Sequence, residues 1–161
     1  MITPEDTVLV TGASGYIASW VVFELLKTGC KVRGTVRDPK NEAKVKHLKD
    51  LPGAAERLEL VALDLNNEDQ FPNVVQGVTM IAHTASPFPG AAPKHEDDLI
   101  KPAVNGTLGV LRAALKVKTI RAIVITSSVA AVGEGSSLIG EPNKVRDESD
   151  WTNTKKSSIY A

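Results

Sequence analysis

This sequence is short of cysteine, of net charge and of long apolar runs, and each shortage closes off a class of function. The lone Cys30 permits no intramolecular disulfide, so the chain is not a disulfide-stapled secreted scaffold. Placed after Gly29, where the first helix is expected to end, Cys30 reads as a small buried hydrophobe. Nineteen basic residues balance nineteen acidic ones, which leaves no field to draw in nucleic acid or an anionic membrane surface. No apolar run nears membrane-spanning length, and Met1-Ile2-Thr3-Pro4-Glu5-Asp6 has neither the basic nor the apolar region of a signal peptide. A soluble, cytoplasmic protein with a small-molecule partner is expected, with no nucleic acid and no membrane. Repeats and low-complexity linkers are missing too, and 161 residues suit one domain with a real core. His47 and His95 are isolated on polar stretches, and no Cys, His, Asp and Glu spacing resembles a metal site, so no bound metal is expected. No motif speaks to the oligomeric state.

What is present is organised around residues 8–22. Val8 to Val10 form a short β-branched apolar run, and Ile17, Val21 and Leu25 with Ala18, Val22 and Leu26 recur at helical spacing. Between strand and helix lie Gly12, Gly15 and the small Ala18, three residues apart. The first glycine permits a tight turn, and the second lets backbone N–H groups approach a diphosphate at the helix N-terminus. Ala18 then allows helix and strand to pack closely. With Ser14, Tyr16 and Ile17, these residues form an expected dinucleotide cradle. Its spacing departs by one residue from G-x-G-x-x-G, so the strand-turn-helix context carries the reading.

Strand-like and helix-like segments alternate from there on, the pattern of a parallel sheet covered by helices. Lys31–Arg37 reads as strand two, 41–51 as a charged helix ended by Pro52-Gly53, Leu58–Ala62 as strand three, 67–76 as a short helix and 78–82 as strand four. A long helix over about 96–116 carries Gly106 and Gly109, which flatten one of its faces against the sheet, and Ile120–Ile125 reads as strand five. The stretch from there to Ser158 reads as polar and irregular. Right-handed crossovers give the doubly wound α/β order 3-2-1-4-5, a Rossmann arrangement with its ligand crevice at the carboxyl ends of strands one and four.

The end of strand two discriminates between coenzymes, because a carboxylate there bonds the ribose 2′-hydroxyl of NAD whereas a cation takes the 2′-phosphate of NADP. Arg37 stands at that end, with Lys40 and Lys44 beyond it, and its planar fork suits a phosphate. Two other readings stay open: Asp38 reaches the ribose if the strand runs one residue further, and Arg37 and Lys44 are plain surface charges. Asp64, after strand three, sits where a carboxylate accepts from an adenine amino group, or else serves as a turn or N-cap residue. His83-Thr84-Ala85-Ser86-Pro87 ends strand four, where the backbone and hydroxyls of Thr84, Ala85 and Ser86 line a coenzyme. His83 itself reads as a packed strand-end residue rather than a base.

Thr11-Gly12-Ala13-Ser14-Gly15-Tyr16-Ile17-Ala18, then Val32-Arg33-Gly34-Thr35-Val36-Arg37-Asp38-Pro39, Lys44-Val45-Lys46-His47-Leu48 and Asp50-Leu51-Pro52 resemble the extended short-chain dehydrogenases. Within these the chain is similar to the group of dihydroflavonol reductase, cinnamoyl-CoA reductase and yeast methylglyoxal reductase. The resemblance implies an NADP-binding Rossmann domain over 1–161, incomplete at its carboxyl end and lacking the substrate domain. It implies an NADPH-dependent oxidoreductase acting on a small carbonyl compound, an aldehyde or ketone. Position by position, it assigns Arg37 and Lys44 to the 2′-phosphate, Asp64 and Leu65 to the adenine, and Thr126 to the coenzyme contacts. Ser128 hydrogen-bonds the substrate carbonyl, and Tyr160 is the tyrosine that protonates it, Asp147-Glu148-Ser149 and Trp151 matching the segment before that tyrosine.

Departures from the pattern matter as well. The family's lysine, four residues after the tyrosine, falls beyond Ala161. A general acid without its tuning partner forfeits about two to four orders of magnitude, so these residues alone are expected to be inactive. Gly133 stands where flavonoid reductases carry an asparagine, and Lys156-Ser157-Ser158-Ile159 departs from the cinnamoyl-CoA reductase signature. A broader carbonyl reductase is therefore the leading expectation. Its competitors are a module that binds or senses NADP without turnover, an unstable product with no ligand, and an NAD-dependent epimerase or hydroxysteroid dehydrogenase of the same superfamily.

Overall fold

Val8, Leu9 and Val10 are all buried, yet they alternate between two different apolar cores, which is possible only in a sheet covered on both faces. The computed structural model describes residues 1–87, 93–132 and 145–152. It divides the chain into two compact units, Met1–Ile125 and Thr126–Ala161.

In the first unit the elements run β1 (Thr7–Thr11), α1 (Tyr16–Lys27), β2 (Lys31–Val36), α2 (Glu42–Lys49), α3 (Ala54–Arg57) and β3 (Leu58–Ala62). A 3₁₀ turn at Glu68–Gln70 then leads into α4 (Phe71–Val74), β4 (Met80–His83), α5 (Asp97–Ala114) and β5 (Ala122–Ile125). The sheet order is β3-β2-β1-β4-β5, the expected 3-2-1-4-5, and every pairing is parallel. One core gathers Val8 and Val10 with Ala18, Val22, Leu25 and Leu26 of α1, Val45 and Leu48 of α2, and Cys30. The other gathers Leu9 and Ile81 with Phe71 and Val74 of α4 and Val110, Ala113 and Ala114 of α5. Cys30 is thus the buried small hydrophobe that its position predicts.

Several local expectations change. The helix expected over 67–76 is a 3₁₀ turn followed by one α-turn, because the Asn67 side chain accepts from Asp69 N–H and Pro72 sits in the first turn of α4. Short α3 follows Gly53, whose φ of 79° reverses the chain after Pro52. Gly106 and Gly109 do not lie on the sheet. A β-carbon at 106 would meet Leu65, and one at 109 would come within 2.5 Å of the Phe71 ring, so the flattened helix face receives α4 and the segment after β3. β5 runs from Ala122, two residues later than expected, although Arg121 N–H still bonds to the Thr79 carbonyl while its guanidinium reaches Asp6.

That ion pair ties down the amino ends of the strands. Asp6, 5% exposed, accepts from Thr3 N–H, from the Thr79 hydroxyl and from both Nη atoms of Arg121. The backbone bond from Thr3 does most to hold its carboxyl below the usual range, helped by Thr79, the Thr3 hydroxyl and the Arg121 charge. Among the described residues, no helix is long and apolar enough to cross a membrane. In the second unit the described residues form a short helix, α6 (Val129–Val132), in a stretch that reads as irregular, and a turn around Asp147–Asp150 closed by Arg146.

Candidate functional site

At the carboxyl end of β1 the chain turns through Gly12, whose φ of +66° is open to glycine and strained for most other residues. A β-carbon there would also stand 3.0 Å from that of Ala85, so the loop after β4 lies directly against the turn. β1 is the switch point of the sheet, with β2 on one side and β4 on the other.

Two buried threonines hold this turn. From β2, Thr35 accepts Gly12 N–H on its hydroxyl at 3.1 Å and Ala13 N–H on its carbonyl at 2.8 Å. From β1, the Thr11 hydroxyl accepts Thr84 N–H at 3.1 Å and Ala85 N–H at 3.0 Å, and lies 2.8 Å from His83 Nδ1. The Thr84 hydroxyl donates back to the Thr11 carbonyl. Thr84 and Ala85 are therefore fixed in place, with Ser86 exposed beyond them. Neither Thr11 nor Thr35 was given a role by the sequence; the only signal is a hydroxyl residue near the carboxyl end of an apolar strand beside the glycine turn.

The turn leads into α1 through Gly15, the N-cap, which supplies no side-chain cap. No acidic residue stands in the first helical turn. Among the described residues no side chain caps its N–H groups, and the helix's own first turn sets no acid against the positive end of its dipole, an arrangement that favours an anion. Ser14 is half-buried, while Gly15, Tyr16 and Ile17 are exposed around this end.

β2 ends at Val36, so Arg37 is the first residue beyond it. Asp38 turns its carboxylate onto its own loop, where Oδ1 accepts Lys40 N–H at 2.9 Å. Arg37 and Lys44 are exposed, and among the described residues their side chains have no hydrogen-bond or ion-pair partner. Of the two readings of Asp64, the turn geometry is present: its Oδ1 accepts Asn66 N–H at 2.9 Å, and the residue is exposed after β3. Leu65 is half-buried beside α5.

Burial holds His83 below the usual histidine range, so it is neutral at physiological pH. In the second unit, Thr126 and Ser128 are exposed, and the Ser128 hydroxyl accepts Ala130 N–H at 3.1 Å at the start of α6. Tyr160, Gly133 and the 156–159 stretch lie outside the described residues. Among the described residues, no three His, Cys, Asp or Glu side chains cluster so as to hold a metal.

The model of the NAD dependent epimerase/dehydratase family matches residues 8–161. Among curated proteins, a dihydroflavonol 4-reductase of Arabidopsis thaliana is 44% identical over 153 residues, which are 94% of this chain and 39% of that protein. A cinnamoyl-CoA reductase of Medicago truncatula is 46% identical over 147 residues, 91% of this chain and 45% of that protein. Among solved structures, the yeast methylglyoxal/isovaleraldehyde reductase complexed with NADPH is 31% identical with a TM-score of 0.77, covering 96% of this chain and 46% of that one. Vestitone reductase of alfalfa, Medicago sativa, is 37% identical with a TM-score of 0.73, covering 91% and 43%. The chain thus spans less than half the length of each of these relatives.

Proposed function

This chain belongs to the NAD dependent epimerase/dehydratase family, and on that footing we propose that it is the coenzyme-binding part of an NADPH-dependent carbonyl reductase. The observation that carries the choice of coenzyme is the contrast at the end of β2. Arg37 presents a guanidinium with no partner among the described residues, while the neighbouring Asp38 carboxylate is committed to Lys40 N–H. A phosphate on the ribose is welcome beside such a pair, and a bare hydroxyl gains little from it.

The residues present fit a dinucleotide. Gly12 and Gly15 keep the turn clear of side chains, and the open first turn of α1, with Ser14, Tyr16 and Ile17, holds a diphosphate. Arg37 and Lys44 take the 2′-phosphate, Asp64 and Leu65 the adenine, and Thr84, Ala85, Ser86 and Thr126 line the remainder. The coenzyme supplies a hydride when bound. Ser128 hydrogen-bonds the substrate carbonyl oxygen, and Tyr160 gives that oxygen its proton. The substrate class, an aldehyde or ketone, follows the relatives, which are named as reductases.

Titration with NADPH and with NADH tests this reading. The wild type is expected to prefer NADPH, and Arg37→Ala to lose about tenfold or more in NADPH affinity with little change for NADH. No uptake of NADPH, or the same preference before and after the substitution, overturns it.

A further inference from the structure

The Thr11 hydroxyl is fully buried, and its hydrogen bonds can be counted completely. A hydroxyl has one proton and two lone pairs. Thr84 N–H and Ala85 N–H, at 3.1 and 3.0 Å, take both lone pairs. Its proton is left for His83 Nδ1, 2.8 Å away on the neighbouring strand, where Thr11 and His83 are in direct register. Nδ1 must therefore be bare, and the ring proton lies on Nε2, which faces the Thr107 hydroxyl of α5 at 3.5 Å.

From this count we propose that His83 is a positioning residue of the dinucleotide site, and that the bare Nδ1 of its neutral ring orients the Thr11 hydroxyl, which holds Thr84 and Ala85 against the Gly12 turn. The inference rests on the proposed function, since the ligand whose affinity it controls is the dinucleotide. A ring nitrogen that carried a proton would present a third donor to an oxygen with only two lone pairs. One of the two backbone bonds would be lost, and Ala85, whose β-carbon sets the floor under Gly12, would be free to shift. An apolar ring at position 83 has a related effect, because the Thr11 proton then has no acceptor and the hydroxyl is free to turn. His83 touches neither coenzyme nor substrate in this scheme; it acts through Thr11.

Two measurements on the 161-residue chain test the idea. The first is a long-range proton–nitrogen correlation spectrum of the histidine rings near neutral pH, without ligand. It is expected to show Nδ1 of His83 as unprotonated and Nε2 as protonated, and the reverse tautomer or a doubly protonated ring overturns the proposal. The second is NADPH titration by coenzyme fluorescence of the wild type, His83→Phe and His83→Asn. His83→Phe keeps the ring shape without an acceptor and is expected to weaken binding about tenfold, whereas His83→Asn returns an acceptor near Nδ1 and stays within about threefold of wild type. Equal binding by His83→Phe and the wild type overturns the role of His83 alone. Binding by His83→Asn as weak as that of His83→Phe assigns the effect to ring packing and also overturns it. A wild type that binds no NADPH defeats the proposed function, and with it the control of affinity. The spectrum still decides the hydrogen-bond arrangement, and it needs no variant to fold.

Discussion

A β-carbon at Gly34 would stand 2.8 Å from that of Ala13, so the Ala13 methyl of the glycine turn packs directly on the bare backbone of strand β2. The same strand holds the turn through Thr35, one residue further on, and ends at Val36, directly before Arg37. In the proposed function, the group that selects the coenzyme and the residue that holds the glycine turn therefore lie two positions apart, at the end of β2 and just beyond it.

Gly34→Ala is expected to push the turn outward, because Leu60 closes the other side at 3.1 Å. The cost in stability is about 1–3 kcal/mol, read by urea unfolding, and NADPH affinity falls with it. Gly77→Ala is the matched control: its new methyl meets nothing within 4 Å, and only the φ of +71° opposes it. That strain costs about 1–2 kcal/mol and leaves coenzyme affinity unchanged.

Asp6 is held below the ordinary carboxylate range, first by the Thr3 backbone bond and then by Thr79, the Thr3 hydroxyl and Arg121. A folded-state value below the unfolded one means that the carboxylate stabilises the fold above about pH 3.9, and that this support is lost as pH falls through the folded value. Asp6→Asn is expected to lower the thermal midpoint near neutrality and to flatten the acid limb of the stability curve. Calorimetry across acid pH checks both.

His83 produces a separate loss at milder acidity. Burial lowers its folded value, so protons bind the unfolded chain more readily. Its contribution is fully present above the unfolded value of about 6.5 and is lost as pH falls from there toward the folded value. Denaturant unfolding stepped downward from pH 7.5 is expected to show that slope in the wild type and to lack it in His83→Asn.

Gly109 packs its open face on Phe71, which is fully buried in the second core. Gly109→Ala would place a methyl 2.5 Å from Cε2 of that ring and is expected to cost about 1–3 kcal/mol. Phe71→Leu combined with it is expected to cost less than the sum of the two single changes, since the smaller side chain makes room.

Much of the fold is legible in the sequence because the governing signals are local. β3 is found at Leu58–Ala62 as predicted, since its apolar run is bounded by clear breaks, and the strand order follows from alternation and handedness. The glycine turn is legible for the same reason, as the apolar strand before it and the helical periodicity after it mark it. What stays hidden depends on distant partners. Thr11 takes its meaning from His83, Thr84 and Ala85, more than seventy positions away, and Gly109 from a ring on α4 rather than from the sheet. Asp64 shows the opposite limit, for its turn bonds are local while the two readings of its carboxylate differ only when a ligand is present.

The place of β1 in the sheet also dictates an order of assembly. During synthesis its bonds to β2 can form early, since Thr7 pairs with Lys31, but its other edge waits for Met80 to emerge, and Asp6 waits for Arg121. A growing polypeptide therefore carries an open strand edge until β4 emerges, and a carboxylate without its guanidinium until Arg121 does. Nascent copies crowded on one messenger are most exposed to mispairing along that edge, and whatever shields it must act before β4 leaves the ribosome.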